Sequence, residues 1–234
     1  SELFGIKCVV CNESIPVDSK GAAAYIKHPF FDEKMCPKHA YTTRRCTSCD
    51  RFEPIQHGFP DLGDVNRCSC LSCCRSIVID NEDAKPLWKK VIKFIEGTLE
   101  VPVWDSMRNI PTVLVGFEAL NAAKTELSQD CLTRGLCVTE CEKNSIEDNK
   151  PKSERSHQQL DSYIRKNATK TTSTASNTVS AILCLSGLCS DLTASILAHE
   201  ATHAWFRLHP YCEALKPIPQ QVEEGCCQLV ARLY

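Results

Sequence analysis

Four short pairs of cysteine and histidine residues in the first third of the chain constrain its fold more strongly than any other feature. Each pair has the form Cys-x2-Cys or Cys-x2-His, a spacing at which one tight loop presents two ligands to a single ion. Four such pairs supply enough ligands for two tetrahedral structural zinc sites. In chain order, site one takes Cys8, Cys11, Cys36 and His39, and site two takes Cys46, Cys49, Cys70 and Cys73.

Three further residues that can bind metals lie close to these pairs in the sequence. His28 is an alternative ligand for site one, although the run His28-Pro29-Phe30-Phe31 favours packing in the small core of the module. Cys68 and Cys74 are expected to be small buried hydrophobes, as a single cysteine beside such a pair usually is. Because large apolar residues are scarce here, the zinc module, residues 1–76, should fold only with metal bound.

The cysteine content and the charge of the chain narrow its class. Seventeen cysteines in 234 residues fit either a disulfide framework or metal sites. The paired spacing, the interleaved histidines and the lack of a charged-then-apolar leader favour reduced thiolates on zinc, and the number of pairs disfavours a thiol oxidoreductase. No apolar run reaches the length of a membrane span, and a net charge of -2 disfavours general nucleic-acid binding. We therefore expect a soluble protein of the cytoplasm or nucleus that binds neither nucleic acid nor membrane.

A second metal motif, His199-Glu200-Ala201-Thr202-His203, lies near the C-terminus. A helix places residues four apart on one face, so His199 and His203 can bind one ion while Glu200 faces its open coordination position. In such a site zinc polarises a carbonyl group, and the glutamate is the general base that takes the proton of the attacking water. The pattern therefore predicts a zinc hydrolase with Glu200 as the catalytic residue.

The helix that carries this motif is predicted to begin at an N-cap, either Ser190 or Asp191, and to end at His209-Pro210. Catalytic zinc usually has three protein ligands, so a third ligand must follow the motif. His209 lies where the longer HExxHxxGxxH pattern has its last histidine. That pattern needs a glycine where this chain has Phe206, which weakens the assignment.

Glu224, the other candidate for the third ligand, lies 21 residues after His203 at the start of another apolar-patterned segment. A glutamate from a second helix is the arrangement of the gluzincin peptidases, and in the Asn-Glu-Gly form of their motif the glutamate before the glycine is the ligand. Glu224 precedes Gly225, which leaves Glu223 as a carboxylate that supports the ligands. Adjacent carboxylates are also common on solvated helix surfaces. The alternative interpretation is therefore that Glu223 and Glu224 are both surface charges with no role in metal binding.

The rest of the chain predicts a second domain, residues 84–234, made of helices and a small sheet. Its expected elements are a helix over 84–97, a buried strand over 111–115 and a helix over 117–127. Residues 139–178 are polar and should form a mobile or disordered insert. The strand predicted over 179–185 is either an edge strand that pairs with a peptide substrate or a core strand. The whole chain is therefore predicted to be α+β, with a small β-rich zinc module followed by a mainly helical, zincin-like domain that contains a small sheet.

Together these residues resemble the plant DA1 and DA1-related proteins, which join LIM-type zinc modules to a zinc peptidase domain. The N-terminal module resembles a variant LIM domain whose middle ligand pair is Cys-x2-His where the usual order is His-x2-Cys. The resemblance covers essentially the whole chain. The stretches that carry it are His28-Pro29-Phe30-Phe31, Cys36-Pro37-Lys38-His39, Arg45-Cys46-Thr47-Ser48-Cys49, Arg134-Gly135-Leu136-Cys137, Ser195-Ile196-Leu197-Ala198-His199-Glu200, His203-Ala204-Trp205 and Val222-Glu223-Glu224-Gly225.

The resemblance implies a ubiquitin-activated metallopeptidase that cleaves regulators of cell proliferation and organ growth, including enzymes of the ubiquitin pathway. It implies ubiquitin and protein substrates as partners. Together with the ligand pattern it gives two structural zinc ions and one catalytic zinc ion. Some relatives are fused to plant immune receptors, where this domain can act as a decoy for a pathogen effector. The alternative function is thus a non-catalytic module that binds ubiquitin or other proteins, although a decoy has no need of Glu200.

Three departures from the family pattern are visible in the sequence. Ala201-Thr202 stands where the HExxH motif of the family carries two methionines, a change that leaves both histidine ligands in place. Additional cysteines lie beside the metal-binding stretches, namely Cys68, Cys74, Cys226 and Cys227. The chain ends at Tyr234, soon after Glu224, so we expect the C-terminal part of the peptidase domain to be truncated here.

Overall fold

The structure of the protein, a computed structural model, describes residues 5–64, 66–122, 133–139, 178–209 and 218–234. The chain divides into two compact units, Ser1–Ile77 and Val78–Tyr234. The second unit begins six residues before the predicted domain start at residue 84. The mixture of helices and strands confirms the α+β class. The predicted insert, 139–178, lies outside the described residues except for its first and last residue.

Short elements and turns form the first unit. Its elements are the antiparallel pair β1 (Ile26–Lys27) and β2 (Lys34–Met35), a 3-10 helix over Pro37–His39, and α1 (Leu71–Cys74). Its described hydrophobic core consists of Cys8, Val10, Ile15, Met35, Cys36 and Phe52. Two of these six core residues are predicted zinc ligands. A core this small buries little apolar surface to offset the entropy of ordering the chain, so we expect the unit to need metal to fold.

His28 is fully buried in the first unit, and both of its ring nitrogens are engaged. Its Nδ1 accepts the N–H groups of Phe30 and Phe31, each at 3.1 Å, and its Nε2 donates to the carbonyl oxygen of Cys49 at 3.1 Å. Its ring also packs against Phe31 and Phe52, at centroid distances of 4.9 and 5.8 Å. His28 therefore has no lone pair available for zinc, and its role is to join two loops of the module.

A three-stranded mixed sheet forms the centre of the second unit. Its middle strand is β6 (Val179–Leu185), which pairs parallel with β4 (Thr112–Val115) and antiparallel with β5 (Gly135–Thr139). Residues 181–185 of β6 are all buried, as expected of a strand covered on both faces. An edge position for 179–185 is therefore wrong, and β5 is at the edge. Two further strands, β3 (Ile77–Val78) and β7 (Leu188–Cys189), are two residues long and lie outside this sheet.

Five helices of the described residues belong to the second unit: α2 (Asn81–Gly97), α3 (Asp105–Arg108), α4 (Phe117–Ala122), α5 (Ser190–Leu208) and α6 (Gln220–Leu233). Helix α2 begins three residues before the predicted start, because the Asp80 carboxylate caps it by accepting the N–H of Glu82. Helix α4 begins where predicted, and residues 123–127 of that prediction lie outside the described residues.

The start of α5 differs from the prediction. Its N-cap is Cys189, which has an extended backbone and makes no side-chain cap, whereas Ser190 and Asp191 lie inside the first turn. The predicted capping role of these two residues is therefore wrong. The acidic side chain of Asp191 still lies in the first turn, where it favours the positive end of the helix dipole.

Residues of β6 alternate between two packed layers. Ile182 and Cys184 belong to the larger core, where they pack with residues such as Val91 of α2 and Leu197 of α5. Their neighbours on the opposite face of the strand, such as Leu183, pack with α4 in the smaller core. The sheet is thus covered on both faces, and α5 lies along one of them. In the described part of the chain, no helix has both the length and the apolar character needed to cross a membrane.

Replacing His28 with alanine should destabilise the first unit by about 2–4 kcal/mol, because three backbone groups lose their imidazole partner and a cavity opens. Zinc stoichiometry should not change. Thermal unfolding and metal analysis of the full chain measure both quantities. The matched control is His57→Ala at an exposed histidine of the same unit, which should alter neither. Loss of one zinc ion from His28→Ala would instead identify His28 as a ligand.

Candidate metal centres

Two clusters in the first unit bring together the residues that the sequence assigns to structural zinc. One contains Cys8, Cys11, Cys36 and His39, and the other contains Cys46, Cys49, Cys70 and Cys73. Within each cluster, one ligand atom of every residue lies within 4.8 Å of all the others. The sulfur atoms of Cys49 and Cys70 are 3.6 Å apart. Two sulfur ligands of a tetrahedral zinc ion, with bonds of about 2.3 Å, are separated by about 3.8 Å.

The same type of backbone turn occurs in both clusters. The residue after Cys-x2-Cys is Asn12 in the first cluster and Asp50 in the second, with positive φ angles of 61° and 63°. Each donates its N–H to the carbonyl of the first cysteine of its pair at 2.9 Å. Asn and Asp tolerate this left-handed conformation better than other non-glycine residues. They are a sequence mark of the metal-binding turn in addition to the cysteine spacing.

Backbone N–H groups support a thiolate at one sulfur of each cluster. The N–H of Cys36 donates to Sγ of Cys8 at 3.3 Å, and the N–H of Cys70 donates to Sγ of Cys46 at 3.2 Å. Burial acts to raise the pKa of both acceptor thiols, but the backbone hydrogen bonds together outweigh it and lower the pKa of Cys8 and of Cys46 to about 7.

The nitrogen of His39 completes the fit of the first cluster to a metal ion. Its Nε2 is buried and has no hydrogen-bond partner among the described residues. A buried polar atom without a partner is costly unless it binds something. The donor set of each cluster, thiolates with or without one imidazole, is that of a structural zinc site.

A third cluster joins α5 to α6 and contains the HExxH motif. His199 and His203 lie one turn apart on α5, and their Nε2 atoms are 3.2 Å apart. The Glu224 carboxylate of α6 faces both rings, with Oε2 3.4 Å from Nε2 of His199 and Oε1 3.5 Å from Nε2 of His203. Both histidines are largely buried, whereas the Glu224 side chain is 45% exposed. Two imidazoles and one carboxylate at this separation fit a catalytic zinc ion.

Two charged residues fix the orientation of His203. Its Nδ1 lies 2.7 Å from Oε1 of Glu223, and Nη1 of Arg207 donates to the same oxygen at 2.8 Å. Burial acts to raise the pKa of Glu223, but these hydrogen bonds outweigh it and hold the pKa below its ordinary value. An ionised Glu223 keeps the proton of His203 on Nδ1, so the lone pair of Nε2 faces the cluster.

His199 is also suited to bind a metal. Burial lowers the pKa of His199, and the neighbouring His203 lowers it further, while Glu224 acts in the opposite direction. The balance favours the neutral imidazole, which is the form that coordinates a metal ion.

Glu200 is buried against the edge strand β5. A Cβ atom at Gly135 would lie 2.5 Å from Oε1 of Glu200 and 2.6 Å from Cγ2 of Ile196, so glycine is required for this close approach. The backbone N–H of Cys137 donates a hydrogen bond to the Glu200 carboxylate. Burial raises the pKa of Glu200 to about 8, and the charge of Glu224 contributes in the same direction. The strand thus encloses the carboxylate and fixes its position.

The two candidates for the third ligand lie in different surroundings. Glu224 faces the histidine pair, whereas the ring of His209 packs against Trp104 and Trp205 at centroid distances of 5.4 and 4.8 Å. His209 directly follows α5 with an extended backbone. Without a glycine in the last turn of α5, the chain does not turn this residue back towards the cluster.

Three residues of the third cluster receive no functional role from the sequence. The sequence could have predicted the place of Arg207, because this residue lies one turn after His203 on the same helix face. No sequence pattern could have predicted Gly135 or Cys227, since only tertiary packing brings these residues to the cluster. The Cys227 sulfur lies within 4.8 Å of ligand atoms of both histidines, and burial, with nearby carboxylates, raises the pKa of this thiol.

The chain has recognisable relatives among known proteins. The family model DA1-like, described as Protein DA1, matches residues 103–234. Protein DA1 of Arabidopsis thaliana is 36% identical over 100% of this chain and 42% of its own length. Protein DA1-related 3 of the same plant is 35% identical over 94% of this chain and 47% of its own length. LIM domain-containing protein HDR3 of Oryza sativa subsp. japonica is 34% identical over 100% of this chain and 45% of its own length.

The chain therefore spans less than half the length of these relatives. No solved structure matches it.

Replacing Gly135 with alanine should destabilise the second unit by about 1–3 kcal/mol, because the added methyl group overlaps Glu200 and Ile196. Thermal unfolding of the full chain measures the loss. Gly116→Ala is the matched control, since a Cβ at Gly116 meets no atom within 4 Å. Equal stability of the two variants would contradict the close approach of β5 to α5.

Replacing Glu223 with glutamine should weaken metal binding at the third cluster about 10- to 100-fold. The neutral amide holds the His203 proton less firmly and no longer carries the negative charge that faces Arg207. Zinc titration against a competing chelator, with both clusters of the first unit already saturated, measures the affinity. Gln221→Ala, at an exposed position of the same helix, should have no effect. Unchanged affinity in Glu223→Gln would show that Glu223 does not orient the ligand.

Proposed function

The chain belongs to the DA1-like family, and from this premise we propose that it is a zinc metallopeptidase, activated by ubiquitin, that cleaves proteins controlling cell proliferation and organ growth. The observation that carries the peptidase assignment is the convergence of His199, His203 and Glu224 beside the buried Glu200. Ubiquitin as activator, growth regulators as substrates and a location in the cytoplasm or nucleus are proposed from the family resemblance alone.

Six residues of the third cluster have distinct roles in this function. His199, His203 and Glu224 would hold a zinc ion, which supplies a Lewis acid that polarises the scissile carbonyl and lowers the pKa of a water. Glu200 would be the general base and acid of the reaction, placed to accept a proton from water and to return it to the leaving amine. Glu223 positions His203, and Arg207 neutralises the buried charge of Glu223.

The edge strand β5 is where an extended peptide substrate would bind. It pairs with β6 on one side, and none of the other described strands pairs with it. An edge of this kind can accept a peptide as an additional strand through backbone hydrogen bonds. Because Gly135 and Cys137 of β5 both contact Glu200, a peptide bound there would lie close to the general base.

A non-catalytic interaction module or decoy is the competing function. Such a module could keep its zinc ligands for stability, yet it would not need a carboxylate enclosed beside them. The enclosure of Glu200 by a glycine and a backbone N–H of β5 therefore favours chemistry at this cluster. In either case we propose that the first unit, with its two zinc clusters, binds protein partners.

Replacing Glu200 with glutamine should lower peptidase turnover about 10²- to 10⁴-fold while leaving three zinc ions bound per chain, because glutamine has the same shape but cannot accept the proton. Turnover of a fluorogenic peptide library, with and without ubiquitin, and metal analysis give the two quantities. Glu118→Gln, at an exposed carboxylate, is the matched control and should retain full turnover.

Two results would contradict this function. A Glu200→Gln variant that cleaves as fast as the wild-type chain would remove Glu200 from the mechanism. A wild-type chain that binds two zinc ions, with no decrease in His199→Ala, would leave the third cluster without metal and favour the non-catalytic module.

A further inference from the structure

The third cluster contains a thiol in addition to the carboxylate assigned to it. Among the described residues, His199, His203 and Cys227 form a group whose ligand atoms all lie within 4.8 Å of one another. Cys227 is fully buried, whereas Glu224 is nearly half exposed. The same pair of imidazoles therefore faces two groups of α6 that can bind zinc.

The geometry of α6 explains why both groups reach the histidines. Glu224 and Cys227 are three residues apart on the helix, so they lie on one face and one turn apart. Glu223, four residues before Cys227, is held against this face by its hydrogen bond with His203. Cys226, the next residue on the helix, is not a member of the cluster within the described residues. It offers a matched thiol that points elsewhere.

We propose that Cys227 is a further protein ligand of this metal centre, a proposal that rests on the metallopeptidase function proposed above. Imidazole and thiolate are both strong zinc ligands, with bonds of about 2.0–2.1 Å and about 2.3 Å. In a tetrahedral site these lengths place the nitrogen and sulfur atoms about 3.5 Å apart. Atoms that already lie within 4.8 Å need only a small side-chain adjustment to reach that separation. The thiol proton passes to solvent as the sulfur binds the ion.

Coordination by Cys227 would give the centre a closed form. His199, His203, Glu224 and Cys227 together make four protein ligands, the number found in structural zinc sites that have no position for water. Departure of the thiolate reopens one position and leaves the three ligands of a catalytic site. The buried sulfur would thus hold the peptidase in an inactive form until α6 moves or the thiol is displaced.

Cobalt substitution of the full chain tests this ligand. Cobalt(II) bound by a thiolate has a charge-transfer band in the near ultraviolet, whereas cobalt bound by nitrogen and oxygen has visible bands alone. Zinc in the two clusters of the first unit is colourless, so cobalt is added after a chelator has removed metal from the third cluster. The spectrum of a His199→Ala, His203→Ala double variant is subtracted to remove any cobalt bound elsewhere.

The wild-type chain should show the charge-transfer band at one cobalt per chain. Cys227→Ser and Cys227→Ala should lose it and keep the visible bands, because His199, His203 and Glu224 still bind the ion. Cys226→Ser, the matched control, should keep the band. Loss of all third-cluster cobalt from both Cys227 variants, with circular dichroism unchanged, would also support the ligand role.

Two outcomes would overturn the proposal, and they differ in what they leave standing. If the wild-type chain and Cys227→Ser bind cobalt with the same spectrum, Cys227 is not a ligand, while the metal centre of the proposed peptidase remains. If the wild-type chain binds no more cobalt than the His199→Ala, His203→Ala variant, both the thiol ligand and the proposed metallopeptidase centre are wrong.

Discussion

Close packing of one face of α5 against the sheet is the contact on which the second unit depends. Small side chains line that face at spacings of three or four residues, and all are buried: Ala194, Ala198, Ala201 and Ala204. Leu197 of the same helix packs with Ile182 and Cys184 of β6, and Gly135 of β5 leaves room for Ile196 and Glu200 to lie against the strand. The same approach buries Glu200, while His199 and His203 are left facing α6.

The alanine-lined face also accounts for the middle of the HExxH motif. Ala201 is fully buried in the larger core, where a longer side chain would press against the packed strands and helices. Thr202, also buried, satisfies its hydroxyl by donating to the carbonyl of Ala198 at 2.9 Å. Small residues between the two histidines therefore leave the ligand geometry unchanged and allow close packing around it.

The two units differ in how much hydrophobic core is available to stabilise them. The second unit has a sheet covered on both faces by helices and can rely on hydrophobic burial. The first unit has a small core in which two of the predicted metal ligands are themselves core residues, so we expect metal binding and folding to be coupled there.

The sequence by itself determined which residues of similar chemistry lie close together within one turn or one helix, although it did not determine the first residues of α2 and α5. The spacing of the cysteines and histidines predicted the four ligand pairs of the first unit, and the motif from His199 to His203 predicted one helix face with two imidazoles, because a turn or helix fixes the relative positions of residues three or four apart. Only the tertiary structure decided the rest: that 179–185 is a central strand, that Gly135 encloses a carboxylate 65 residues away, and that Cys227 joins Glu224 at the histidines. These depend on which distant segments pack together, and that choice is made by the summed burial of many side chains, which no local pattern records.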